Sequence, residues 1–153
     1  MGDITTRMAT VADASAISAL IVRTVRTTNA PDYEAKIIDL ICANFTSEKV
    51  ARSMAKRDVF VCFMDDVLAG TISLGEDKLH SLFVEPKLQR RGIGARLVDH
   101  LERHAIGKGL SVLRLSSSIT ARAFYERLGY QLIKLEERRD GPTFLMRKVL
   151  DSS

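Results

Sequence analysis

The chain has 153 residues, which is the size of one domain. Hydrophobic residues make up 46% and charged residues 27%, close to globular averages, so a disordered or fibrous chain is excluded. The net charge of +4, from 23 Lys and Arg against 19 Asp and Glu, suits an anionic small ligand. It is too small to indicate nucleic acid. We therefore predict a single globular domain over residues 1–153.

No stretch is apolar for the length that a membrane span needs, and the N-terminus lacks the pattern of a secretion signal. We expect a cytoplasmic protein without a membrane partner. Cys42 and Cys62 lie in apolar stretches without metal-binding spacing, which predicts two reduced core thiols and no metal site.

The first third of the chain reads as one strand followed by helices. Residues 4–9 have a strand pattern, and Thr10 to Asp13 form a capping box for a helix. That helix has one apolar stripe, formed by Ile17, Leu20, Ile21 and Val25. A second helix is predicted to open at Pro31 and Asp32, and a third to run to about Arg57.

The rest of the chain alternates strands and helices. Residues 59–64 form a β-rich run that stops at Asp65-Asp66 and resumes at once, which predicts a hairpin. Beyond it we predict strands at 79–84, 110–118, 130–136 and 143–149, and helices from Gly92 and over 120–129. The last two strands flank the turn Asp140-Gly141-Pro142. The strand, helix, strand order around Gly92 predicts one parallel pairing in an otherwise antiparallel α+β fold.

The segment from Gln89 to Gly94 follows a strand and opens a helix. The first amides of a helix have no intrahelical partner and lie at the positive end of its dipole. Glycine allows the backbone to approach phosphate oxygens, and Lys87, Arg90 and Arg91 add positive charge. These features predict a pyrophosphate-binding loop. A helix face made of Ile93, Leu97, Val98, Leu101 and Ala105 is expected to be buried beneath it.

Two familiar glycine motifs do not fit this segment. A dinucleotide-binding fingerprint requires a third glycine where Leu97 stands, and a P-loop requires Gly-Lys-Ser/Thr where Gly94 is followed by Ala95-Arg96. A structural interpretation also stays open, in which the glycines form a tight turn and the arginines are solvated.

Two longer motifs resemble one family. Leu82 to Gly94, LFVEPKLQRRGIG, resembles the acetyl-CoA signature of the GNAT N-acetyltransferase superfamily. Ala121 to Tyr130, ARAFYERLGY, resembles a second segment of the same superfamily, at the expected distance from the first. The resemblance covers about residues 79–135, and the preceding elements have the order that the family shows. It implies a small, bacterial-type, single-domain member.

The resemblance implies a mixed sheet of about six to seven strands, flanked by helices, in which two central parallel strands splay apart to hold acetyl-CoA. The strands would be the one reaching Glu85 and the one over 110–118. The main chain of 82–84 would pair with the pantetheine arm, and the loop would hold the pyrophosphate. The implied cofactor-binding residues are Leu82, Phe83, Val84, Gln89, Arg90, Arg91, Gly92, Ile93, Gly94, Ala95 and Ser118.

Tyr125 matches the family position that donates a proton to the departing thiolate; the alternative is a core aromatic residue beside Phe124. Ser118 stands where the family often has asparagine, and a polar contact to pantetheine or a helix cap explains it equally. Lys78 occupies the position of the carboxylate that some members use as a base. Glu76, His80 and a water relay remain open as the base, while His100 and His104 are expected on the outer helix.

The implied activity is transfer of an acetyl group from acetyl-CoA to a primary amine of a small molecule or protein, by direct attack in a ternary complex. A non-catalytic acyl-CoA sensor is the alternative. A nucleic-acid-binding module built on Arg90, Arg91 and Arg96 is disfavoured, because no aromatic platform accompanies the arginines. A homodimer stays open.

Acceptor specificity is expected in residues 27–45 and the last hairpin. Within that range Asp32, Tyr33 and Glu34 could attract an ammonium group, although Asp32 also reads as a helix cap.

Overall fold

The computed structural model describes residues 3–139 and 141–151. Seven strands form one sheet in the spatial order β1-β2-β3-β4-β5-β7-β6. Their bounds are Ile4–Met8, Asp58–Met64, Val67–Gly75, Lys78–Val84, Val112–Ser117, Gln131–Arg138 and Gly141–Val149 for β1 to β7. The α-helices are Ala14–Thr24, Ala35–Ala43, Ser47–Ser53, Ile93–Gly107 and Arg122–Arg127 for α1 to α5.

The topology is that predicted from the sequence. Among the described residues only β4 and β5 pair in parallel, and every other neighbouring pair is antiparallel. The hairpin between β2 and β3 turns at Asp65 and Asp66, whose φ angles of 50° and 66° are both positive. Two positive φ angles in a two-residue loop give the primed turn whose twist matches that of paired strands. The α+β prediction with one parallel pair is therefore confirmed.

Helix α4 packs on one face of the sheet through the stripe predicted for it, since Ile93, Leu97, Val98, Leu101 and Ala105 are all buried. Gly70 in β3 allows this close contact. A Cβ atom there would lie 2.8 Å from Leu97 Cδ1 and 3.0 Å from the carbonyl oxygen of Phe83. The beginning of α4 is thereby held against the end of β4, which fixes the loop between them.

The opposite face of β2 and β3 is covered by α1 and α3. Their contact forms a second core, which includes Ile17, Ile21, Val50, Val59 and Val61. Cys42 and Cys62 are buried free thiols, as predicted, and burial raises the pKa of both.

Several predicted boundaries differ from the structure. The second helix begins at Ala35, and a separate 3₁₀ turn occupies Ala30–Asp32. Helix α3 ends at Ser53, before Arg57, and α5 has six residues where ten were predicted over 120–129. In the predicted turn at 140–142, Asp140 lies outside the described residues. No helix in the described ranges combines the length and the apolar character that crossing a bilayer requires.

Candidate functional site

Strands β4 and β5 separate after a short parallel contact. They pair only at Lys78 with Arg114 and at Leu79 with Leu115. Ser81 then adopts a φ of 55°, and the register between β3 and β4 shifts around this point. Such a bulge bends a strand and increases its local twist. The last residues of β4 consequently turn away from β5 and leave an open cleft.

The main-chain groups on that open edge can be assigned from their neighbours. Glu85 N–H donates to the Ala69 carbonyl in β3 at 2.8 Å. Because successive strand residues direct their amides to alternate sides, the amides of Val84 and Leu82 face away from β3, towards β5. Phe83 is opposite Thr71 in β3, so its main chain is not at the open edge; only its side chain lines the cleft. The sequence prediction is corrected for Phe83 in this respect.

One main-chain group on this edge already has a hydrogen-bond partner within the protein. The Val84 carbonyl accepts a hydrogen bond from Gln89 Nε2 at 2.9 Å, and the Thr24 hydroxyl lies 3.3 Å from it. Gln89 therefore fixes the loop to the end of β4. The Leu82 amide and carbonyl and the Val84 N–H remain on the open edge for a ligand.

The loop after β4 connects this open edge to the N-terminus of α4. Arg90 and Gly92 have φ angles of 65° and 78°, and the first helical bond runs from Arg96 N–H to the Gly92 carbonyl at 3.0 Å. No side chain of the described residues caps this helix. Its first amides, including those of Ile93, Gly94 and Ala95, therefore lack intrahelical partners and carry the positive end of the dipole.

The two glycines of the loop have different roles. Gly92 is needed for its left-handed φ angle, because other residues adopt that region at a cost. Gly94 is needed for space, since a Cβ atom there would lie 3.1 Å from Phe124 Cζ. Gly94 thus allows the beginning of α4 to contact α5.

A cleft of about 460 Å³ runs from the loop to α5 and has a volume typical of ligand sites. All but one of the cofactor-binding residues predicted from the sequence line it. The exception is Arg91, which is exposed and does not line the cleft, so its role in binding stays a prediction. Arg90 and Arg127 do line the cleft, and neither forms an ion pair within the described residues.

Tyr125 closes the other end of the cleft. Its side chain is 5% exposed and packs between Phe124 and Tyr130, with ring centroids 5.3 and 5.8 Å away. Its hydroxyl has no hydrogen-bond partner among the residues that the structure describes. Burial raises the pKa of Tyr125, so the phenol stays protonated. A protonated, unpaired hydroxyl in a cleft can donate to a ligand.

Ser118 has the structural role that the sequence left open. Its Oγ accepts a hydrogen bond from Ala121 N–H at 3.1 Å, at the beginning of α5, and the side chain also lines the cleft. Among the base candidates, Glu76 lies in the turn between β3 and β4. It is six residues before Leu82, roughly 20 Å along an extended strand, which removes it from the candidates. His80 is closer, at two residues from Leu82.

The contacts that enclose the cleft were not predicted from the sequence. The Tyr33 hydroxyl accepts from Ile119 N–H at 2.8 Å, and Asp32 accepts from the Thr120 hydroxyl at 2.7 Å. Arg23 Nε and Glu85 Oε2 pair at 2.9 Å at the end of β4. Asp32 is thus neither the cap of α2 nor an unpaired carboxylate. No local signal marks these contacts, because the partners are 62 to 88 residues apart.

Comparison with known proteins identifies the family. A family model described as an acetyltransferase (GNAT) domain matches residues 29–150. This chain belongs to the GNAT acetyltransferase family. It is therefore an acyltransferase, and the resemblance found in the sequence is confirmed.

This acetyltransferase is also similar to individual proteins. It is 31% identical over 122 residues to an uncharacterized N-acetyltransferase, YafP, of Escherichia coli. The matched region covers 80% of this chain and 77% of that protein. A GCN5-related N-acetyltransferase from Rhodopseudomonas palustris has the same fold, with a TM-score of 0.91, 24% identity and 98% of both chains covered. The PaiA N-acetyltransferase of Thermoplasma acidophilum, solved with coenzyme A, gives a TM-score of 0.79 at 22% identity, over 96% of this chain and 99% of that one.

Proposed function

We propose that this acetyltransferase transfers an acetyl group from acetyl-CoA to a primary amine, by direct attack in a ternary complex. One observation carries the proposal: a single loop, residues 85–92, connects the unpaired edge of β4 to the uncapped N-terminus of α4. An extended ligand with amide groups at one end and a diphosphate at the other satisfies both. Coenzyme A has this form, and a protein of the same fold was solved with it.

The binding roles follow from the positions of the free groups. Leu82 and Val84 pair with the amide-bearing pantetheine arm as an added strand does. The N–H groups of Ile93, Gly94 and Ala95 bind the diphosphate, and Arg90 adds a full charge beside them. Ser118 caps α5 and contacts the arm only secondarily.

The chemistry requires a neutral amine and a proton for the leaving group. The amine nitrogen attacks the thioester carbonyl carbon, a C–N bond forms, and the C–S bond breaks. Tyr125 donates its phenolic proton to the departing sulfur and is reprotonated from solvent. The amine loses its extra proton to water or to a base. Burial of Tyr125 keeps its proton in place until the sulfur develops charge.

His80 is the remaining side-chain candidate for that base. Burial, reinforced by the charges of Arg57 and Lys78, lowers the pKa of His80 to about 4. The imidazole is therefore neutral at physiological pH and can accept a proton, but it is a weak base. We propose a water relay as the principal route, with His80 as an acceptor of hydrogen bonds in it.

Tyr33 lines the cleft at the side of the last hairpin. Tyr33 contacts Ile119 and packs against Gly141 of the last hairpin, so the segments that the sequence predicted for specificity do meet at one place. The primary amine, its small-molecule or protein source, a homodimer and a cytoplasmic location are predictions. The described residues contain no group of three or more His, Cys, Asp or Glu side chains suited to a metal ion.

A two-step experiment tests the proposal. Acetyl-CoA at ~100 times its dissociation constant should stabilise the protein by about 2.7 kcal/mol in thermal unfolding. A panel of primary amines is then added with acetyl-CoA, and release of free thiol is followed. Stabilisation with amine-dependent thiol release is the expected result. Stabilisation without thiol release from any amine favours the acyl-CoA sensor, and no stabilisation contradicts both functions.

A further inference from the structure

A second cavity, of about 210 Å³, lies on the other side of the sheet from α4. It is enclosed by α1, by α3 and the turn that follows it, and by the faces of β2, β3 and β4. At ~30 Å³ per molecule of liquid water, the space equals several waters, which is enough for a small organic group. The proposed acetyl-CoA site does not account for it.

Arg57 is a partly buried cation that lines this cavity without a counterion. Its stem packs beside Gly75 and the ring of His80. The guanidinium makes neither a hydrogen bond nor an ion pair with any residue that the structure describes, and burial alone lowers its pKa. Buried charges in proteins are normally paired, because removing an unpaired charge from water is unfavourable. An unpaired guanidinium in a concave site indicates an anionic ligand.

Part of the lining is apolar, from α1, α3 and β2, while the remaining polar residues favour the same ligand. Lys49 and Lys56, both exposed, add positive charge at the rim, where Lys49 Nζ also donates to the Ala43 carbonyl at 2.9 Å, and none of the described residues lining the cavity is acidic. The Ser73 side chain is nearly buried here, and its hydroxyl makes no hydrogen bond within the described part of the chain. A guanidinium with nearby hydroxyls provides the donors that a carboxylate or phosphate requires.

The cavity and the cleft share one residue. Ser81, at the bulge of β4, lines both. The Arg57 stem and the His80 ring both lie beside Gly75, and Leu82, whose amide faces the cleft, is two residues beyond His80 along β4. A ligand bound at Arg57 can therefore extend past Ser81 towards the place where acyl transfer would occur.

We propose that this cavity binds an anionic group of the acceptor, so that the substrates are short amines carrying a carboxylate or a phosphate. Arg57 is the residue that determines this specificity. The inference rests on the proposed function, since it names the class of amine for the same site.

The cationic surroundings also suit the chemistry. Arg57, Lys78, Lys49 and Lys56 disfavour a protonated amine near Ser81, while the anionic group of the same molecule offsets their repulsion during binding. Such a substrate presents its nitrogen in the neutral, nucleophilic form without a carboxylate base. This agrees with Lys78 standing where other family members have that base.

A binding experiment without acetyl-CoA tests the cavity separately from catalysis. The probes are β-alanine, 4-aminobutanoate and 6-aminohexanoate, their carboxamides, aminoalkyl phosphates of matched length, and inorganic phosphate. We expect calorimetric binding of at least one amino acid or aminoalkyl phosphate to the wild type, and a loss of about tenfold or more in affinity in Arg57→Gln. The carboxamides should bind weakly to both. Arg52→Gln, at an exposed arginine of α3 outside the cavity, is the matched control.

A kinetic experiment links the site to acyl transfer. In Arg57→Gln, KM for the anionic amines should rise about tenfold or more, while KM for acetyl-CoA stays as in the wild type, and the preference for each amino acid over its carboxamide should disappear. Arg57→Lys should restore part of the loss. Equal use of amino acids and their carboxamides by wild type and Arg57→Gln would overturn the proposal while leaving the proposed function intact. Binding of inorganic phosphate at Arg57 without an effect of any tethered amine would also overturn it, and would indicate a separate anion site.

Discussion

Tyr125 and Tyr130 lie in edge-to-face contact, with ring centroids 5.8 Å apart, but their hydroxyl groups differ. The Tyr130 hydroxyl donates to Glu102 Oε2 at 2.8 Å, and Lys148 Nζ pairs with the same carboxylate at 3.1 Å. The Tyr125 hydroxyl has no partner among the described residues, and Tyr125 lines the cleft. Of the two tyrosines in the family motif, Tyr130 thus has its hydroxyl bonded within the protein, and only Tyr125 has a hydroxyl free for the proton transfer proposed above.

Tyr125→Phe should lower kcat by roughly 10²–10⁴-fold, because a positioned acid contributes about that much to rate. The ring is retained, so affinity for acetyl-CoA and the free energy of unfolding should be nearly unchanged. Steady-state kinetics and calorimetric binding measure the two effects. Unchanged turnover in the variant would remove Tyr125 from the mechanism.

Tyr130→Phe is the matched control and should show the opposite result. Loss of the hydroxyl leaves Glu102 with Lys148 alone, so the protein should be destabilised by about 1 kcal/mol in urea unfolding. Turnover should stay close to that of the wild type. A large fall in kcat without loss of stability would assign the chemistry to Tyr130.

The different roles of the loop glycines can be separated by substitution. Gly92→Ala should destabilise by roughly 1–2 kcal/mol because of its left-handed φ angle, whereas Gly92→Asn should be better tolerated. Gly94→Ala places a methyl group 3.1 Å from Phe124 Cζ, and should destabilise by about 1 kcal/mol or more through overpacking. Combining it with Phe124→Leu should recover stability. If the double variant is no better than Gly94→Ala, crowding against Phe124 is not the cause.

Acidification should destabilise the protein through His80. Its pKa in the folded protein is about 4, below the ordinary value of 6.5, so the unfolded chain binds a proton first as the pH falls. The contribution of neutral His80 to the free energy of unfolding is fully present above pH 6.5 and declines between pH 6.5 and about 4. From about pH 7 to about pH 5 the decline due to His80 is at most about 2 kcal/mol.

Urea unfolding of the wild type and of His80→Gln, at about pH 7 and at about pH 5, measures how much of the decline is due to His80. The variant should show the smaller decline, and the remainder includes His100, whose pKa burial also lowers. An equal decline in both proteins would mean that His80 titrates normally in the folded state.

The features predicted from the sequence are those that depend on neighbouring residues. The period of apolar residues fixed the buried face of α4, and the pair Asp65-Asp66 predicted its hairpin, because each reflects local geometry. The loop from Gln89 and the position of Tyr125 came from two motifs in register. That residues 1–153 form one domain stays a prediction.

The features that were missed depend on contacts between distant residues. The bulge at Ser81 has no glycine to indicate it, and it determines both the divergence of β4 from β5 and the contact between the two cavities. Glu85 is held by Arg23, and Asp32 by Thr120, through pairs that only the folded chain brings together. Arg57 reads in the sequence as an ordinary surface arginine after a helix.

The central claim is that the free amides of β4 and α4 hold acetyl-CoA, and backbone NMR tests it most directly. Adding acetyl-CoA to the labelled protein should shift the amide signals of Leu82, Val84, Ile93, Gly94 and Ala95 most, and should slow their hydrogen exchange. The amide of Phe83, which faces β3, should change less. Binding of acetyl-CoA that leaves the signals of Gly94 and Ala95 in place, with the largest shifts elsewhere in the protein, would contradict the account.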